Sequence, residues 1–285
     1  ARVASRGLGD VYKRQGYFQS SVAGGKSAAK ELGVDIVVMD PQADAARQVS
    51  MVEDCIARQS DGIVVDPIES SALMGVIAEA GQKGIPMAVL DTPIIADNVI
   101  TNIGVPQYDA SFTFGHFVAG WIIGKLDGKA KIGIMLASSE VQLLRRDGFL
   151  AALAAIPGAK VVATGDGRNI LERSIAEAED MLTANPDINV IYATGDPSLQ
   201  GGLAAAQSQG RKIAFFGGDD IPEPFIKPLE EGRIVGFLKQ KPKIGGKMAV
   251  SFLVSHLKGE KVPAKYSYNP AVSYTHLTLP TSDLV

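Results

Sequence analysis

A chain of 285 residues with 46% apolar content and a net charge of −3 can bury one large core or two medium ones, and its length leans towards two. Its mean hydropathy is +0.12 and its pI near 5.7. It has no basic run beyond the scattered Lys and Arg of residues 239–247, which argues against a nucleic-acid surface. The most apolar stretch, residues 112–124, is interrupted by His116 and by glycines. It is shorter than the roughly 20 residues of a membrane span and reads as a buried helix. The single cysteine, Cys55, excludes an internal disulfide and reads as a small core residue of a helix.

In chain order, residues 1–15 carry four basic residues and no apolar run. The buried strand that should precede a helix at 17–32 is therefore missing from the sequence. A strand at 35–39 follows, then helix 43–59, strand 62–65, helix 70–83 and strand 86–90. After an irregular stretch from Asp91 to about Pro106, alternation resumes. It runs through helix 108–126, strand 131–136, helix 141–155, strand 160–164, helix 171–184, strand 189–194 and helix 198–209. Strand 213–217, helix 222–231, strand 233–238 and helix 243–258 complete it. Strands separated by helices demand right-handed crossovers and a doubly wound parallel sheet, and the break near residue 100 divides the chain into two such α/β units. Residues 272–285 break off from what precedes them. Both ends resemble translated sequencing-adapter read-through, which implies a truncated gene with foreign tails and any signal peptide lost.

Several strands stop at an aspartate: Asp40, Asp66, Asp91, Asp196 and Asp219 each follow a short apolar run. Ligands of open parallel sheets bind beyond the carboxyl ends of the strands, so such residues outline a row of hydrogen-bonding groups on one edge. Aspartate also starts turns and caps helices, and Asp40 and Asp66, each followed by Pro, fit that second role better. Catalytic signatures are weak. Residues 20–27 (SSVAGGKS) end like a phosphate loop but lack its first glycine and its strand, and Gly165-Asp166-Gly167 lacks the last glycine of a dinucleotide fingerprint. His116, His256 and His276 share no ligand spacing, so neither a metal nor a cofactor is expected. Asp91 and Asp219 could act as acid and base on a glycosidic bond, yet the same pair serves a sugar's hydroxyls equally well, and no enzyme is expected.

Five segments, taken in order, bring a family into view: residues 62–67 (GIVVDP), 84–91 (GIPMAVLD), 182–192 (LTANPDINVIY), 232–242 (GRIVGFLKQKP) and 257–266 (LKGEKVPAKY). With them, residues 16–271 resemble periplasmic solute-binding proteins of the ribose and galactose type. The resemblance implies an α/β fold of two doubly wound parallel-sheet lobes joined by a three-segment hinge. Lobe one would comprise 16–106 plus 241–268 and lobe two 107–240 plus 269–272, with 1–15 and 273–285 as non-native tails. It implies a periplasmic monomer that captures a monosaccharide or polyol between the lobes by hinge closure and delivers it to the membrane permease of an ABC importer.

By position, the resemblance implies ligand contacts at Asp91, Arg145, Asp219 and Gln240, and at Tyr17 and Phe18 as an aromatic pair for the ring faces. Arg145 could instead be a solvated helix arginine like Arg146, and Tyr17 and Phe18 ordinary helix-start core. Thr92 stands where ribose binders carry arginine, Asn169 where they carry an aromatic residue, and Gly195 where they carry asparagine, so ribose itself is not expected. Asp196 is retained but could equally cap the next helix. The alternative is the effector domain of a sugar-responsive transcription regulator that has lost its DNA-binding region.

Overall fold

A computed structural model describes residues 2–3, 15–42, 44–137, 139–168, 170–218, 223–268 and 271–274. It divides into two units. The first comprises Ala1–Pro106 and Lys241–Asn269, and the second Gln107–Gln240 and Pro270–Val285. The chain thus passes between them three times.

In the first unit, β1 (Arg2–Val3) leads to α1 (Gln15–Leu32), β2 (Asp35–Ile36), α2 (Ala45–Ala57), β3 (Ile63–Val65), α3 (Ser70–Gln82), β4 (Met87–Leu90) and β5 (Val99–Gly104). The expectation of no strand ahead of the first helix is corrected: Arg2↔Asp35 and Val3↔Ile36 pair in parallel. The main sheet has the order β11-β5-β4-β3 and all its pairs are parallel. Its core gathers Val52, Cys55 and Ile56 of α2, Leu73, Val76 and Ile77 of α3, and Ile63, Met87 and Val89 of the strands. Cys55 is indeed a buried core residue, and burial raises its thiol pKa.

β5 lies inside the stretch read as irregular. Its polar Asn102 breaks the apolar run because its side chain has a structural task. Asn102 Oδ1 accepts from Ile94 N at 2.8 Å, and its Nδ2 donates to Ile94 O at 3.0 Å. That clamp fixes the loop that leaves β4.

The second unit contains α4 (Gln107–Leu126), β6 (Ala130–Leu136), α5 (Glu140–Leu153), β7 (Ala159–Asp166), α6 (Leu171–Ala184), β8 (Val190–Ala193), α7 (Asp196–Ser208), β9 (Ala214–Gly217), α8 (Glu223–Glu230) and β10 (Ile234–Lys239). The chain then returns to unit one as α9 (Pro242–Leu257) and β11 (Lys265–Ser267) before β12 (Ala271–Tyr274) joins unit two. The sheet order is β12-β10-β9-β8-β6-β7, parallel except for β12, which runs antiparallel to β10. An antiparallel strand at the edge of such a sheet is a common arrangement. β12 includes residues 273 and 274 of the stretch read as a foreign tail; 4–14 and 275–285 lie outside the described residues.

Strands β4 and β8 are buried at every position, the pattern of a strand covered by helices on both faces. Beneath β8, Phe149 stacks on Tyr192 with ring centroids 3.8 Å apart. No described helix is long and apolar enough to cross a membrane.

Candidate sugar-binding edges

In both units the polar side chains singled out above collect where the strands end. In unit one, β3 and β4 run side by side with Val65 opposite Val89, so Asp66 and Asp91 emerge from neighbouring strands. Asp91 has φ 59°, a left-handed conformation that costs a non-glycine residue about 1–3 kcal/mol. Thr92 N donates to Leu90 O at 2.8 Å across it, closing a tight three-residue turn. Room for that turn comes from Gly104 on β5, where a Cβ would lie 3.2 Å from both Asp91 Cα and Asp91 O. Thr92 is buried beside it.

Tyr17, in the first turns of α1, reaches the same place. Its phenol is hydrogen-bonded to Tyr268 and feels the charges of Asp91, Tyr268 and Asp66, and burial first, then these neighbours, raise its pKa well above the ordinary value. Phe18 sets its ring edge-on to Tyr17, with centroids 5.5 Å apart, and is itself 44% exposed. These two residues are not ordinary core: one is in a carboxyl-rich cluster and the other faces solvent.

Sequence reasoning set Asp66 aside as a turn residue, and it does leave β3 for the segment before α3, half-buried. Burial, then the charge of Asp91, pushes its carboxyl pKa well above the usual range. Buried Gln48 of α2 holds its main chain: Gln48 Nε2 donates to Asp66 O at 2.7 Å and its Oε1 accepts from Ile68 N at 2.9 Å. Gln48 thus braces the segment between β3 and α3, a role that a single glutamine does not announce in the sequence. Asp40 behaves as a turn residue, its Oδ1 accepting from Gln42 N at 2.8 Å.

In unit two the centre is Arg145 on α5, which is 4% exposed. It is not a solvated arginine. Its Nε donates to Gln107 Oε1 at 2.8 Å and its Nη1 to Thr194 O at 2.7 Å, tying the start of α4 to the end of β8. The neighbouring Arg146 instead pairs with Asp147 at 2.7 Å on the surface. Gln142, also buried, completes the network: its Oε1 accepts from Ala137 N at 2.9 Å and from Thr194 Oγ1 at 2.6 Å. Neither Gln107 nor Gln142 was read from the sequence, because an isolated glutamine carries no spacing signal.

Gly195 is the N-cap of α7 and Asp196 its first residue, half-buried. Asp196 is therefore not the capping residue, and its charge sits in the helix's first turn, where the dipole favours it. Gln240 is buried at the end of β10. β9 ends in Gly217 and Gly218 at φ 119° and 96°, and a Cβ on Gly217 would fall 1.8 Å from Ala193 O, so only glycine lets these two strand ends approach. Asn169 and Asp219 lie outside the described residues. No group of His, Cys, Asp or Glu able to hold a metal occurs among the described residues.

Asp91→Gly separates the strand-end geometry from the carboxylate. Glycine adopts φ above zero at no steric cost, so this variant is expected to unfold about 1 kcal/mol harder in urea. A less stable variant would contradict the strain assignment.

The sequence pattern described as the periplasmic binding protein domain matches residues 10–261. The chain belongs to that family. Among named relatives, the ribose import binding protein RbsB of Haemophilus influenzae is 28% identical over 251 residues, covering 87% of this chain and 84% of its own. The D-allose-binding periplasmic protein of Escherichia coli is 29% identical over 251 residues, covering 82% of this chain and 78% of its own. Among solved structures, GanP, a glucose-galactose binding protein from Geobacillus stearothermophilus, superposes with a TM-score of 0.85 at 25% identity, covering 98% of each chain. The fold of this periplasmic binding protein is thus the type I fold of its structural neighbours.

Proposed function

We propose that this protein is the substrate-binding component of an ABC importer, working in the periplasm and capturing a monosaccharide or polyol. What carries the reading is the alignment of a ribose import binding protein over 87% of this chain, with Asp91 just beyond β4 and Arg145 of α5 bonded to the end of β8.

The chemistry suits sugar hydroxyls. The carboxyl groups of Asp91 and Asp196 accept hydrogen bonds from hydroxyls, the Arg145 guanidinium offers a planar fork of donors to ring and hydroxyl oxygens, and Tyr17 and Phe18 offer apolar faces to C–H patches. Gln240, Asn169 and Asp219 complete the proposed set, and Thr92 and Gly195, with their small side chains, leave space for a ligand larger than a pentose. Each buried donor or acceptor that a wrong epimer leaves unpaired weakens binding by about 1–3 kcal/mol, which is how such a site selects. In this reading the ligand shifts the protein towards the form it binds better, and a permease reads that form.

A thermal-shift panel of D-ribose, D-allose, D-galactose, D-arabinose and glycerol tests it. At a hundredfold excess over Kd a ligand of the native state adds about 2.7 kcal/mol, which for units of this size raises the midpoint by about 5–10 °C. A panel with no shift, extended to hexitols and inositols, would sink the reading.

A further inference from the structure

A half-buried carboxyl group in the same unit as Asp91 lies outside the proposed contacts. Asp66 leaves β3 directly beside the strand that delivers Asp91, with Val65 and Val89 in register, and its main chain is locked by Gln48. The charged and titratable groups that act on it are Asp91 after β4 and Tyr17 on α1, whose phenol is in turn hydrogen-bonded to Tyr268 after β11. The facing residue of α2 is the neutral Gln48. Burial, then the charge of Asp91, favours the protonated form of Asp66.

We infer that Asp66 is a further specificity-determining residue, meeting the ligand as a carboxylic acid that donates to one of its oxygens while Asp91, as carboxylate, accepts from a hydroxyl. The inference rests on the sugar or polyol reading above. A donor and an acceptor side by side match a hydroxyl and its neighbouring oxygen in one relative orientation only, whereas two carboxylates would accept from either. Asp66 thereby adds discrimination that Asp91 alone cannot supply.

The test uses the full chain and whichever of D-ribose, D-allose, D-galactose, D-arabinose or glycerol gives the largest midpoint shift. Calorimetric Kd values are compared for wild type, Asp66→Asn and Asp66→Ala across a pH series. Asparagine keeps a donor and an acceptor and so mimics the protonated acid. Asp66→Asn is expected to bind within a few-fold of wild type and with no pH dependence, and Asp66→Ala to bind about ten- to a hundredfold more weakly. Wild-type affinity is expected to fall as pH rises through the titration of Asp66, because the proton that Asp66 donates is lost. Loss of binding in Asp66→Asn would overturn the inference by making Asp66 an ionised acceptor, and unchanged binding in Asp66→Ala would overturn it by removing Asp66 from the ligand. If no probe shifts the wild type, the sugar reading falls and takes this inference with it. If a probe shifts the wild type but the variants behave otherwise, only the role of Asp66 falls.

Discussion

Replacing Arg145 by alanine is expected to cost both stability and binding. The guanidinium donates to Gln107 Oε1 and to Thr194 O, and both acceptors sit in residues that are at most 4% exposed. Each buried group that loses its donor costs about 1–3 kcal/mol, so unfolding in urea should become easier by about 2–5 kcal/mol and the thermal midpoint should fall by roughly 5–15 °C. Lysine does not repair this, because one ammonium on a flexible stem cannot replace a planar fork that bonds from two nitrogens at once. Sugar affinity should fall in both variants. A midpoint within a degree of wild type in Arg145→Ala would show that the network closes without the arginine, and the role given to it would be wrong.

Gly246→Ala is the second large effect. A Cβ at Gly246 would lie 1.9 Å from Ser21 O, and one at Gly24 would lie 2.0 Å from Lys243 O, so α1 and α9 touch backbone to backbone. Main-chain atoms cannot rotate aside, and the two helices must separate. Overpacking costs about 1–3 kcal/mol and sometimes more, and a clash with backbone belongs at the upper end of that range. Tyr17 lies one turn ahead of Ser21 on α1, so a displaced helix also carries the phenol away from Asp91, and sugar affinity should drop together with stability. Gly75→Ala is the control: nothing lies within 4 Å of its added Cβ. That substitution in mid-helix should stabilise by about 0.5–1 kcal/mol. If Gly246→Ala unfolded like wild type, the close approach of the two helices would be refuted.

The regular elements were legible because strands covered on both faces must be apolar throughout. Met87–Leu90 and Val190–Ala193 are buried at every position and read as strands from their sequence alone. The helix over Leu171–Ala184 was read to the residue. Where a polar side chain serves the main chain, the pattern failed: Asn102, clamping Ile94, concealed β5. The short strands β11 and β12 gave no run long enough to notice.

Arg145 and Asp91 could be placed by their position in a familiar order of segments. Their supports could not, because Gln48, Gln107 and Gln142 act across 18 to 52 residues of sequence, and single glutamines have no periodicity. The surroundings of Asp66 were hidden for a related reason. The proline after it is a true local signal for a turn, but the neighbour that defines its chemistry, Asp91, belongs to another strand.

The contact of α1 with α9 bears on how the molecule comes into being. Unit two is drawn mostly from one continuous stretch, Gln107–Gln240, whereas unit one waits for Lys241–Asn269. During synthesis the first hundred residues emerge with the groove for α9 open, and the glycines of α1 have no helix to lie against. Unit two can therefore acquire its core while unit one is still incomplete, an order set by chain connectivity rather than by which core is the stronger.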